Sequence, residues 1–223
     1  KLRMWDVVSA NRVDHFVAIS RFVASRVRKY YRRPANVLYP PVNTKDFQPD
    51  RDRKSFYLCL GQLVGYKRAD LAVQAFNKSG LPLVVIGEGE LFESLKMIKK
   101  SNVTLLGRQD FKVIKEHLET CKALIFPGVE DFGIVPVEAM ASGAPVIAFD
   151  RGGACDTVIH EKTGLLFAEQ TVESLCAAVN QVESGEITFD VNDLANHASS
   201  FDKSIFKQKM SGFVSKAYTE ICR

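Results

Sequence analysis

The chain has 223 residues, of which 46% are hydrophobic, 25% charged and 10% aromatic. That is enough apolar chain to bury a core without disulfides or metals, and the 15 phenylalanines exclude general disorder. No apolar run approaches the roughly 20 residues of a membrane span, no signal peptide is visible, and a net charge of +4 falls short of a nucleic-acid binder's excess.

The first residue is Lys1 and the first methionine is Met4, so the chain reads as a piece of a longer protein. His15–Ile19 is the first strand candidate and Arg21–Tyr31 the first helix candidate. Between Arg21 and Arg33 lie six cations and no acid. Two readings stand for that cluster: a surface for phosphate or an anionic membrane, or a solvated helix face. Arg33-Pro34-Ala35 and Tyr39-Pro40-Pro41-Val42 then form a proline-rich connector without helical period, read as an inter-domain hinge or as an ordinary loop.

From there short apolar runs alternate with helical patterns. Strands are expected at Phe56–Leu60, Leu83–Gly87, Val103–Leu106, Ala123–Phe126, Pro145–Phe149 and Leu165–Phe167. Helices are expected at Ala69–Asn77, Glu90–Lys100, Lys112–Thr120, Pro136–Ala141, Thr171–Glu183 and Lys203–Tyr218. The strands are continuously apolar rather than alternating, as strands covered on both faces are. The order predicts an α/β fold, a Rossmann-like parallel sheet flanked by helices. The five cysteines are odd in number and unpaired by spacing; they read as buried free thiols in a reducing cytosol, and no metal-ligand spacing appears.

Parallel sheets bind ligands at the carboxyl ends of their strands. After Phe56–Leu60 comes Gly61-Gln62-Leu63-Val64-Gly65-Tyr66-Lys67-Arg68. Its glycines allow close backbone approach, and Lys67 and Arg68 at a helix start suit a phosphate. A flexible loop with solvated cations is the alternative. After Leu83–Ile86 comes Gly87-Glu88-Gly89-Glu90; position 92 is Phe92, so the dinucleotide fingerprint fails. After Ala123–Phe126, Glu130 and Glu138 flank a helix start, with Gly133 just outside it, Pro136 at the expected first position and Gly143 at the stop. Carboxylates suit hydroxyl-rich ligands because they accept paired O–H bonds. A helix-capping acid would account for Glu138 alone.

The run Glu130 to Glu138, E-D-F-G-I-V-P-V-E followed by A-M-A-S-G-A-P-V-I-A, resembles the E-x7-E signature of retaining glycosyltransferases of family 4. The resemblance extends over roughly residues 13 to 170: Val13–Ser20, Tyr39-Pro40-Pro41-Val42, the loop ending Lys67-Arg68, Gly87-Glu88-Gly89, Leu106-Gly107-Arg108 and Gly152–Thr157 stand in family order. It implies the C-terminal half of a GT-B glycosyltransferase. Residues 1–34 would be a remnant of the acceptor domain and 35–200 the nucleotide-sugar-binding domain. Residues 201–223 would be a helix packing back toward the N-terminal domain. The implied activity moves a hexose to an acceptor hydroxyl with retention, without metal or cofactor. A nucleotide-binding regulatory module is the alternative, and the failed fingerprint disfavours a dinucleotide oxidoreductase.

The resemblance also implies roles. Glu130 binds the donor sugar, Glu138 the ribose, backbone groups of Phe132, Gly133, Ile134 and Val135 the sugar and diphosphate, and Lys67 the diphosphate. Gly61, Gly87 and Glu88 stand in the donor loops, and Gly107, Arg108 and Asp110 beside the base. Where many members carry arginine after the first loop glycine, this chain has Gln62, and Arg68 is the expected substitute. Asp110 would accept from guanine's adjacent donors and so favour GDP-mannose over UDP-sugars; alternatively it caps the helix near Lys112. A saccharide or lipid-linked acceptor is expected, with no nucleic acid. The expected setting is the cytoplasm, with peripheral contact at the inner face of the membrane if the acceptor is a lipid.

Overall fold

The computed structural model describes residues 1–221. The chain opens with α1 (Leu2–Ala10), β1 (Phe16–Ala18), α2 (Arg21–Tyr31) and β2 (Ala35–Val37). Ser20 starts α2 by accepting from the Val23 N–H at 3.0 Å, and Arg32 ends it in the left-handed region at φ 57°. β1 and β2 pair in parallel in their own two-stranded sheet, with Phe16 opposite Ala35. The connector, read as a hinge or a loop, therefore contains a strand. Pro34 has no N–H to leave unpaired, and the three residues after it reach β1 in extended form.

The remaining elements are β3 (Tyr57–Leu60), α3 (Ala69–Ser79), β4 (Leu83–Ile86), α4 (Phe92–Ile98), β5 (Val103–Gly107), α5 (Phe111–Thr120), β6 (Leu124–Phe126), α6 (Ile134–Ala141), β7 (Val146–Phe149), α7 (Ala154–Thr157), β8 (Gly164–Phe167), α8 (Val172–Glu183), α9 (Val191–Ser199) and α10 (Lys203–Ile221). Six strands lie parallel in the order β5-β4-β3-β6-β7-β8. The order reverses between β3 and β6, which opens a crevice there at the carboxyl ends. Tyr57 packs with Phe76 and Leu175 on one face of the sheet. Leu58 packs with Met140 and Leu194 on the other. Adjacent strand residues thus face two separate cores, the cause of the continuous apolar runs.

The expected strands and helices are present with shifted ends. Four elements were not foreseen: α1, β2, the single turn α7 and α9. α6 begins at Ile134, so Pro136 is its third residue rather than its first. Proline is tolerated there because the first-turn N–H groups have no partner inside the helix. Cys59 and Cys121 are buried, whereas Cys155 is exposed and Cys176 half-buried, so burial does not describe every thiol. Cys222 lies outside the described residues. Among the described residues, no helix is long and apolar enough to cross a membrane.

The first four elements are tied to the six-stranded unit by charge. The Arg21 N–H donates to Asp156 at 2.7 Å, its guanidinium bonds the same carboxylate, and the Asp156 side chain is only 2% exposed. Arg26 pairs with Asp131 at 2.8 Å. Val42 receives and returns backbone bonds with Phe201 and Lys203, and the Phe213 ring on α10 meets His15 edge-on at 6.0 Å.

Candidate functional site

Three loops build the crevice, and glycines let them touch. A Cβ on Gly87, at φ +145°, would lie 1.8 Å from the Gly61 carbonyl oxygen. Leu63 N–H donates to the Glu88 carbonyl at 2.8 Å, joining the loop after β3 to the loop after β4. The freedom of Gly87 therefore serves loop against loop, and neither Gly87 nor Glu88 lines the clefts described below. A Cβ on Gly128 would lie 2.6 Å from the Lys67 Cα. That bare position lets the turn carrying Lys67 rest on the loop after β6.

The first cleft, of about 610 Å³, is walled by Ile19, Pro40, Tyr66, Lys67 and the stretch from Val129 to Val135. Lys67 Nζ lies 3.2 Å from Glu130 Oε1, each side chain about one-fifth exposed at 22% and 21%. Gly61 and Gln62 border a smaller recess beside the same pair. Gly133 enters α6 at φ 86°, and the N–H groups of Gly133, Ile134 and Val135 precede the helix's own bonding. They present partial positive charge to the cleft. Phe132 is buried against Tyr39 and Phe201, and Gly153 N–H donates to the Glu130 carbonyl at 2.7 Å. The loop is thereby fixed from behind.

A second cleft, of about 360 Å³, lies on the other side of Ile134, which borders both. Glu138 is in its wall with Asn43, Phe47, Phe111 and Lys203. Burial pushes the Glu138 carboxyl above the ordinary glutamate value. The two glutamates thus do not share one pocket. They stand at opposite sides of the α6 start, with its free N–H groups between them.

Two expected residues are occupied elsewhere. The Arg68 guanidinium is forked onto Asp70 at 3.1 Å and bonds Gln170 at 3.2 Å, and it lines neither cleft. It does not stand in for an arginine at position 62. Asp110 caps α5, accepting from Val113 N–H at 2.9 Å, so the capping alternative holds and the guanine argument loses its premise. Gly107 turns the chain at φ +65°, and Arg108 is exposed outside both clefts.

Sequence reading missed Tyr66, Phe111 and Lys203. Phe111 directly follows the cap Asp110, and its ring is 53% exposed. A large aromatic at the first position of a helix facing a strand end was the available signal. Lys203 comes from α10, far along the chain, and no local pattern placed it here.

The family model for glycosyl transferases group 1 matches residues 42–201. The chain is 31% identical over 201 residues to the GDP-mannose-dependent alpha-(1-6)-phosphatidylinositol monomannoside mannosyltransferase of Mycobacterium tuberculosis, covering 76% of this chain and 52% of that one. It is 27% identical over 213 residues to an uncharacterized glycosyltransferase of Methanocaldococcus jannaschii, covering 93% of this chain and 60% of that one. The chain therefore spans between about half and three-fifths of the length of these relatives. In structure it superposes on Anabaena HepE, solved with UDP and glucose, with a TM-score of 0.81 at 19% identity, over 96% of this chain and 66% of that one.

Proposed function

The chain belongs to the group 1 glycosyl transferases, and from that premise we propose that it binds the donor in hexosyl transfer from a nucleoside diphosphate sugar, with retention, as in family 4. The carrying observation is the placement of Glu130 and Glu138 in two clefts that meet at Ile134 and the α6 start. A donor spanning both would put its hexose against Glu130 and its ribose against Glu138. The diphosphate then lies over the free N–H groups of α6, with Lys67 beside it.

On binding, Lys67 exchanges its ion pair with Glu130 for the diphosphate. Glu130 is thereby released to accept from sugar hydroxyls and orient the ring. In the transfer step the anomeric C–O bond to the phosphate breaks and the acceptor oxygen bonds to the same carbon on the same face. The acceptor proton passes to the leaving phosphate oxygen, so no protein nucleophile forms a bond. Lys67 and the helix N-terminus hold the charge that develops on the leaving group, without metal or cofactor. The relative from Mycobacterium tuberculosis uses GDP-mannose by its name, which supports mannose as the sugar. A saccharide or lipid-linked acceptor, reached in the cytoplasm or at the inner membrane face, completes the reading.

Calorimetric titration with GDP, UDP and NAD tests it. Binding of a nucleoside diphosphate without binding of NAD is expected, and the tighter of GDP and UDP names the base. Tighter binding of NAD would overturn the assignment. The one-bond C1–H1 coupling at the anomeric carbon of the product, read by NMR, separates retention from inversion.

A further inference from the structure

A third recess, of about 570 Å³, lies between α2 and β2 and borders neither donor cleft. Arg21, Arg28, Arg32 and Arg33 stand around it, Ala24 and Ser25 form its floor, and no carboxylate borders it. The helical spacing explains this. Positions 21, 24, 25 and 28 fall on one face of α2 and Arg32 caps its end, so two small residues between long cations leave a hollow. Charge is segregated along the chain in the same sense. Residues 1–33 hold nine of the 30 Lys and Arg but two of the 26 Asp and Glu.

Two of the four guanidinium groups are held in place. Arg21 is bonded to Asp156. Arg33 donates to the carbonyls of Val13 at 2.9 Å and Asp14 at 3.1 Å, and lies 5.6 Å over the Phe16 ring. Arg28 and Arg32 are exposed, and among the described residues their guanidinium groups bond no acceptor. Like charges gathered around one hollow repel, and an entering anion offsets that repulsion. The planar fork of arginine matches two phosphate oxygens at once.

We infer that this recess is an anion site for a phosphate-bearing ligand, a free diphosphate or the phosphate of a lipid headgroup. Two fixed arginines set its walls, and Arg28 and Arg32 supply the forks that close on the ligand. The site shares no residue with the donor clefts, so it stands or falls apart from the proposed transfer.

The test uses the 223-residue chain carrying Lys67→Ala, which weakens phosphate binding in the donor cleft, with and without Arg28→Gln and Arg32→Gln. Both glutamine substitutions are on exposed side chains, and circular dichroism checks the fold. The probes are inorganic pyrophosphate and vesicles of phosphatidylcholine alone or mixed equally with phosphatidylglycerol. Losing both forks is expected to weaken anion binding about tenfold or more. Loss confined to pyrophosphate identifies a free diphosphate as the ligand; loss of binding to the mixed vesicles identifies a headgroup. Arg28→Lys with Arg32→Lys should restore only part of the affinity, because the charge returns without the fork. Anion binding unchanged by the glutamine pair, or no binding of either probe, would mean a solvated helix face and overturn the inference.

Discussion

Glu138 holds a carboxyl group that burial pushes above the ordinary glutamate value, and the sign of its pH dependence follows. A raised folded-state value means that the folded chain gains stability below the unfolded value and loses it as pH rises through the raised one. Glu138→Gln should therefore leave Tm at neutral pH equal to or above that of the parent chain. In the proposed binding mode, ribose hydroxyls would donate to the ionised form and draw the value down again. Nucleotide affinity should then fall as pH drops through the raised value, with proton release on binding, measurable by calorimetry in two buffers of different ionisation enthalpy. Affinity independent of pH through the acidic range would remove Glu138 from the ribose.

Lys67 is the second test at this scale. Lys67→Ala should weaken nucleoside diphosphate binding by about 1.5–3 kcal/mol while leaving the bare nucleoside nearly unchanged. Added salt should narrow the difference, because the pair with Glu130 is partly exposed. Equal losses for diphosphate and nucleoside, measured by titration, would place Lys67 away from the phosphates. The two glutamates and Lys67 were legible because their spacing around a strand end and a helix start is local. Arg68 was not, since its partners Asp70 and Gln170 belong to one local turn and one distant loop. Only the fold brings that distant acceptor into reach.

At the scale of elements, α5 and the loops after β3 and β4 carry the tests. Asp110→Ala removes the cap of α5 and should cost about 1 kcal/mol in denaturant unfolding. The preference between GDP and UDP should stay as it was. A changed base preference would return Asp110 to the nucleobase. Gly87→Ala forces a Cβ against the Gly61 carbonyl at a positive φ. A loss of about 3 kcal/mol or more is expected, because neither backbone can yield without parting the loops. A Tm near that of the parent chain would mean the loops part easily. The strands of the sheet were legible as apolar runs because both faces are covered. α9 was not, since Asn192, Asp193, His197 and Ser199 favour helix weakly. Burial of Leu194 and Ala198 against α6 and its neighbours supports it instead. β2 escaped notice because three residues after a proline form no pattern, and only β1 supplies their partners.

At the scale of the whole molecule, the two clefts beside the α6 start are assembled from both ends of the described chain. Ile19 and Pro40 wall one cleft, and Lys203 the other. The buried Asp156 fastens α2 beside them through Arg21. The central claim is a division of labour between two glutamates on either side of the α6 start. Its most direct test is calorimetric titration of the preferred nucleoside diphosphate into the parent chain, Glu130→Ala and Glu138→Ala. Glu138→Ala should bind about 1–3 kcal/mol more weakly, and Glu130→Ala nearly as well as the parent. Equal affinity of the two variants for the bare nucleotide, or a larger loss for Glu130→Ala, would contradict the assignment.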